Sequence, residues 1–158
     1  MQFEKAIQAL CDARVDFVVI GGVSATLHGS SRVTYDLNIC YSRASSNLKR
    51  LTAALAPFHP RPRGFPKDIP FLWDEITPHN CTAFTLQTEL GEIDLLAEIT
   101  GLGSYDDVKP RSMIVEAYDR QVSTLDLRSL IRAKRAAGRE KDLSDLAEIE
   151  SLLEAREP

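Results

Sequence analysis

Residues 20–39 read IGGVSATLHGSSRVTYDLNI, and they hold the strongest fold signal in the chain. The apolar run that ends there, Val15–Ile20, is rich in β-branched residues and predicts a buried strand. It stops at the paired glycines Gly21 and Gly22, after which residues 23–28 predict a short helix. A glycine pair between a strand and a helix lets the backbone approach a phosphate group closely. The stretch therefore predicts a strand–helix corner able to bind phosphate.

Polar and apolar residues alternate over Thr34–Tyr41, which predicts a second strand with one polar face. Asp36 and Asn38 lie two residues apart and so share that face. Asp94 lies between aliphatic residues on a later predicted strand and can meet them if the two strands are neighbours. Oxygen-bearing side chains clustered near a phosphate site are the ligands that Mg²⁺ prefers. The pattern predicts a magnesium site.

The rest of the chain predicts an α/β or α+β domain with a mixed sheet and two C-terminal helices. We expect residues 1–122 to form the α/β part and residues 123–158 to pack on it as helices, giving one structural unit. The finer expectations are a helix capped by Ser45 or Ser46, a loop over Pro57–Pro70, a hairpin of Ala83–Leu90 and Glu92–Ile99 around Gly91, a short strand over Met113–Val115, a helix ended by Gly138, and a last helix capped by Asp142.

Composition excludes several classes of protein. The chain has 158 residues with 19 basic and 23 acidic side chains, a net charge of −4, which argues against a surface that coats a nucleic-acid duplex. No apolar run approaches the roughly 20 residues of a membrane span. Three cysteines without a CxxC pair exclude a complete disulfide framework and suit a reducing compartment. We expect a cytoplasmic protein without a signal peptide.

Three segments in this order resemble a known group: GGVSATLHGSSRVTYDLN, then EIDLL at residues 92–96, then LIRAKRAAGREKDLSDLAEIE at residues 130–150. Together they resemble the nucleotidyltransferase superfamily, which has the polymerase-β-like fold. Within that superfamily, the first and third segments are similar to bacterial members of the toxin–antitoxin and abortive-infection kind.

The resemblance implies transfer of a nucleoside monophosphate from an NTP, with Mg²⁺ or Mn²⁺ bound by carboxylates. Asp36 and Asp94 would be catalytic and would bind the metal together with Asn38, and Asp94 could also orient or deprotonate the acceptor hydroxyl. The residues placed at the nucleotide are Gly21, Gly22, Ser24, Arg32 and Lys134. From the sequence alone, an ion pair between Arg32 and a neighbouring acid is an equal alternative.

Asn38 departs from the family pattern, which has a second aspartate or glutamate there. A carboxamide oxygen can bind one Mg²⁺ but carries no charge, so metal affinity and activity should fall. Two hypotheses follow. The chain is a nucleotidyltransferase whose acceptor is a protein side chain, a tRNA end or a small molecule, or it is a catalytically degenerate relative that works as a binding or antitoxin-type partner of another protein.

Overall fold

The structure is a computed structural model that describes residues 1–156. Helices and strands alternate up to α4, after which strands and helices follow in groups. Its elements are α1 (Phe3–Asp12), β1 (Phe17–Ile20), α2 (Gly21–Leu27), β2 (Asp36–Tyr41), α3 (Ser45–Leu55), β3 (Arg61–Pro62), α4 (Ile76–Asn80), β4 (Ala83–Thr88), β5 (Gly91–Leu96), β6 (Glu98–Ile99), β7 (Gly103–Ser104), α5 (Tyr105–Val108), β8 (Ser112–Ala117), β9 (Arg120–Leu125), α6 (Leu127–Ala137) and α7 (Glu140–Arg156).

Seven of these strands form one mixed sheet in the order β3-β4-β5-β2-β1-β9-β8. The β2–β5 and β1–β9 pairs are parallel and the other neighbours are antiparallel. Strands β6 and β7 pair separately. A mixed sheet flanked by helices, with a C-terminal helix pair, confirms the predicted fold class.

Each face of the sheet packs on its own set of helices because strand side chains alternate in direction. On one face, residues such as Val19 and Ile39 pack with the apolar stripes of α1 and α3. On the opposite face, Val18 and Cys40 pack with leucines and isoleucines of α6 and α7. The polar residues of this second face, where β2 begins and in the middle of β5, remain partly exposed. The fold thereby leaves a polar shelf beside the C-terminal helices.

Several predicted boundaries were wrong. Strand β1 begins at Phe17 rather than Val15, and β2 begins at Asp36 rather than Thr34. The β4–β5 turn lies at Glu89 and Leu90, so that Gly91 opens β5 instead of forming the turn. Neither serine caps α3, whose N-cap is Ala44 without a side-chain hydrogen bond. These differences are small in length, but the turn position decides which residues face each other.

The proline-rich segment is more ordered than the expected loop. It contains a 3-10 turn over Ala56–Phe58 and the short strand β3, which pairs with β4. The Arg61 guanidinium donates hydrogen bonds to the carbonyls of Pro66 and Ile69, which fastens the segment after β3. Strand formation is possible because prolines are tolerated at a sheet edge, where no ladder donor is lost.

The C-terminal part also differs in detail from the prediction. The strand expected over residues 113–115 is present but longer, and its partner β9 was missed. Gly138 ends α6 with φ +64°, as predicted. Asp142 is not an N-cap, because α7 begins at Glu140. The Asp142 carboxylate instead accepts a hydrogen bond from Arg139. No helix among residues 1–156 has the length and apolarity needed to cross a membrane.

Candidate active site

Strand register brings three oxygen-bearing side chains together. Asp36 and Asn38 lie two residues apart on β2 and so share one face of the sheet. Asn38 is directly opposite Asp94 of the parallel strand β5. On the far side of β5, Thr85 of β4 is opposite Asp94. All four side chains are partly buried. The structure therefore unites the residues proposed as catalytic and metal-binding.

The two carboxylates form a tightly coupled pair. Partial burial raises the pKa of Asp94, and a hydrogen bond with Asp36 and the charge of Asp36 raise it further. A hydrogen bond from Thr85 and the positive charge of Arg63 oppose this rise in pKa. Two carboxylates this close favour a shared proton, and a divalent cation is the alternative way to offset their repulsion.

The amide of Asn38 completes this group. Its Oδ1 atom is buried and has no hydrogen-bond partner among the described residues. An unpartnered buried carbonyl oxygen is costly, and a bound cation would satisfy it. Within residues 1–156, no three histidine, cysteine or acidic side chains converge as a metal site. Two carboxylates and one amide oxygen nevertheless fit Mg²⁺, which commonly retains waters and takes further ligands from substrate phosphates.

A cavity of about 670 Å³ opens beside this group. It lies between the β1–α2 corner, the segment leading into β2, and helices α6 and α7. This volume falls within the range typical of small-molecule sites. The residues that line it include Gly21, Gly22, Arg32, Thr34, Asp36, Asn38, Glu98, Lys134, Arg139, Lys141, Asp142 and Asp145.

The paired glycines are required by packing at this corner. Gly21 has φ +67°, and a Cβ atom there would lie 2.6 Å from Nδ2 of Asn38. A Cβ atom on Gly22 would lie 2.6 Å from Oγ1 of Thr34. Both distances are far below van der Waals contact. The glycines thus let the corner pack directly against the beginning of β2 while their backbone lines the cavity.

Three basic side chains on the cavity wall pair with acids of α7. The buried Lys134 ammonium lies 3.7 Å from Asp142 and 3.6 Å from Asp145. Arg139 donates two hydrogen bonds to Asp142, at 2.6 and 3.2 Å. Arg32 pairs with Asp145 at 3.0 Å and with Glu148 at 3.2 Å. The cations are therefore already oriented toward the cavity by neighbouring carboxylates.

Electrostatics connect these cations with the acidic pair. Burial acts to raise the pKa of Asp142, but the hydrogen bonds and charge of Arg139, followed by the charge of Lys134, hold it below its usual range. The hydrogen bond to Asp142 raises the pKa of Arg139, and the charges of Asp36 and Asp94 add to this. Arg139 therefore lies within the electric field of both carboxylates.

The structure does not bring every proposed residue to the cavity, because neither Asp94 nor Ser24 is among the residues that line it. Ser24 is fully buried, and its hydroxyl bonds to Thr124 Oγ1 at 2.7 Å and donates to the Leu125 carbonyl at 3.3 Å. It lies on the interior side of α2, because the helix turns it toward β9. Arg32 reaches the cavity but forms the ion pairs that sequence analysis held open as the alternative.

Thr85 and Arg63, which act on Asp94 from the β3–β4 side of the sheet, were not predicted from the sequence. Thr85 donates a 2.5 Å hydrogen bond to Oδ1 of Asp94, and Arg63 pairs with Glu92 at 3.3 Å. The hairpin pattern carried only a misplaced signal for Thr85, because cross-strand pairing follows from the turn position and the predicted turn at Gly91 places Thr88 opposite Asp94. No comparable signal exists for Arg63 in the proline-rich segment.

No family model and no curated protein matches the sequence. Solved structures share the fold, among them the following two. A Thermotoga maritima protein described provisionally as a nucleotidyltransferase is 17% identical with a TM-score of 0.62, over 92% of this chain and 88% of that one. The lincosamide antibiotic adenylyltransferase LnuA, solved with lincomycin bound, is 14% identical with a TM-score of 0.58, over 90% of each chain. This chain has the fold of the nucleotidyltransferase superfamily, whereas its likeness to toxin–antitoxin members stays a prediction.

Proposed function

We propose that the chain is a metal-dependent nucleotidyltransferase that moves a nucleoside monophosphate from an NTP to an acceptor hydroxyl, with pyrophosphate as the leaving group. The observation that carries this proposal is the register of β2 and β5, which places Asp94 beside Asp36 and Asn38 of the cavity wall. The fold shared with two nucleotidyltransferase structures supports the same conclusion.

In this proposal, Asp36, Asp94 and the Asn38 amide oxygen hold Mg²⁺ or Mn²⁺. The metal ion, when bound, neutralises phosphate charge and polarises the phosphoryl group. Lys134 and Arg139 face the phosphates and offset the charge that develops on them during transfer. Their carboxylate partners on α7 keep these long side chains oriented before the nucleotide arrives. Asp94, whose Oδ1 accepts the hydrogen bond from Thr85, orients the acceptor hydroxyl or accepts its proton.

A second function is favoured by Asn38. With one anion fewer than the family pattern, the site holds a dication less strongly. A chain that binds nucleotide weakly or not at all would act as a degenerate binding partner of another protein. The two functions differ in whether the natural chain binds nucleotide in a metal-dependent manner.

The test is a thermal unfolding series with each of the four NTPs, in the presence and absence of Mg²⁺ or Mn²⁺. A ligand at 100 times its Kd stabilises the folded state by about 2.7 kcal/mol, or about 5–10 °C in Tm for a domain of this size. The variants are Asp36→Asn, which removes one metal ligand, and Asn38→Asp, which restores the family pattern. Asp12→Asn is the matched control, because Asp12 pairs with Arg120 and does not line the cavity.

A metal-dependent shift in the natural chain and in Asp12→Asn, lost in Asp36→Asn, is the expected result. A shift confined to Asn38→Asp would instead favour the degenerate binding partner. If no NTP shifts any variant, the nucleotide proposal is wrong.

A further inference from the structure

Thr85 is held rigidly against Asp94. Its hydroxyl donates to Oδ1 of Asp94 at 2.5 Å, and the two residues are direct partners in the β4–β5 ladder. The Thr85 carbonyl also accepts a hydrogen bond from the backbone N–H of Arg63, at 3.1 Å. The threonine backbone is therefore fixed from both neighbouring strands, and its hydroxyl reaches Asp94 without ordering a long side chain.

This hydrogen bond determines how Asp94 presents its two oxygens. A carboxylate can rotate about its terminal torsion, which has a broad energy minimum. A donor fixed on Oδ1 selects one rotation and leaves Oδ2 available for other partners. Arg63 acts on Asp94 through its charge, but its guanidinium pairs with Glu92. Thr85 is thus the neutral donor that sets the orientation of this carboxylate.

We propose that Thr85 is a positioning residue that orients Asp94 for a divalent cation. The inference rests on the proposed function, since it takes Asp94 as a metal ligand. Removing the second partner of a metal ligand commonly lowers metal affinity 10–100-fold, because the ligand then loses its preferred orientation.

The experiment measures Mn²⁺ binding alone, by the electron paramagnetic resonance signal of free Mn²⁺, with no nucleotide and no activity readout. Thr85→Val removes the hydroxyl while keeping the branched shape, and Thr85→Ser keeps the hydroxyl. Thr88→Val is the matched control on the same strand. The Thr88 hydroxyl donates to the Gly91 carbonyl at 2.8 Å and has no contact with Asp94 in the structure. Urea unfolding of each variant is measured in parallel.

We expect Thr85→Val to weaken Mn²⁺ binding by about tenfold and Thr85→Ser to stay within about twofold of the natural chain. Thr88→Val should lose stability yet bind Mn²⁺ normally. Unchanged Mn²⁺ affinity in Thr85→Val would overturn the positioning role alone, as would a Thr85→Ser variant as weak as Thr85→Val. If the natural chain binds no Mn²⁺ at millimolar concentration, the metal site itself fails, and with it both proposals.

Discussion

Replacement of Gly21 by alanine tests how the β1–α2 corner and Asn38 depend on each other. Gly21 adopts φ +67°, a left-handed conformation that costs an alanine about 1–2 kcal/mol. The new Cβ would also lie 2.6 Å from Nδ2 of Asn38 and 3.3 Å from its Cβ. Relieving such overpacking costs typically about 1–3 kcal/mol. We therefore expect Gly21→Ala to lower the free energy of unfolding by about 2–5 kcal/mol.

A matched glycine separates these two costs. Gly138 has φ +64°, but the nearest atom to an added Cβ is the Arg135 carbonyl oxygen at 3.6 Å. Gly138→Ala should therefore cost only the backbone strain of about 1–2 kcal/mol. The difference between the two variants measures the contact of Gly21 with Asn38.

Urea unfolding without metal or nucleotide is the assay, applied to Gly21→Ala, Gly138→Ala, Asn38→Ala and the double variant of Gly21 and Asn38. Asn38→Ala removes Nδ2, so the double variant should be more stable than additivity predicts, by about 1–2 kcal/mol. The reasoning is refuted if Gly21→Ala costs no more than Gly138→Ala, or if the double variant is strictly additive.

Two further predictions address residues on either side of the sheet. Ser24→Ala should lower stability by about 1 kcal/mol, since it leaves the buried Thr124 hydroxyl with a poorer partner, and it should not change nucleotide-dependent shifts in Tm. Because burial and Asp36 raise the pKa of folded Asp94, the folded state binds this proton more tightly than the unfolded state. The stability that this proton on Asp94 contributes is fully present below the pKa of unfolded aspartate. It is lost as the pH rises through the pKa of Asp94 in the folded state. Asp36→Asn should make the free energy of unfolding fall less with rising pH, as measured by urea unfolding in EDTA between about pH 4 and 7. An unchanged pH dependence would contradict the interaction between Asp36 and Asp94.

Much of the acidic site was predictable because its geometry follows from strand periodicity. The alternation of polar and apolar residues around Asp36 placed Asn38 on the same face of β2. The aliphatic neighbours of Asp94 likewise indicated that Asp94 lies on the polar face of its strand. Only the adjacency of β2 and β5 had to be supposed, and parallel pairing across so many residues carries no local signal. The fold and the acidic pair of Asp36 and Asp94 were therefore predictable from the sequence, whereas the register between β2 and β5 was not.

The pairing of Thr85 with Asp94 was not predicted, because the predicted position of the β4–β5 turn was wrong. A turn centred on Gly91 pairs Asp94 with Thr88, whereas the observed turn at Glu89 and Leu90 pairs it with Thr85. Such a change of register reverses the face that each β4 residue presents. The ion pairs of Arg32 with α7 were equally beyond local pattern, since more than 100 residues separate the partners.

The cavity is made of two walls with separate origins in the chain. The sheet supplies Asp36 and Asn38, which are fixed by a hydrogen-bonded ladder and change position only if a strand shifts. Helices α6 and α7 supply the opposite wall, where polar contacts between side chains govern the shape. Side-chain substitutions can therefore change the helical wall more readily than the wall that the sheet supplies. Substitutions on α7 would change the polar contacts of Lys134, Arg139 and Arg32, while the acids of the sheet keep their places.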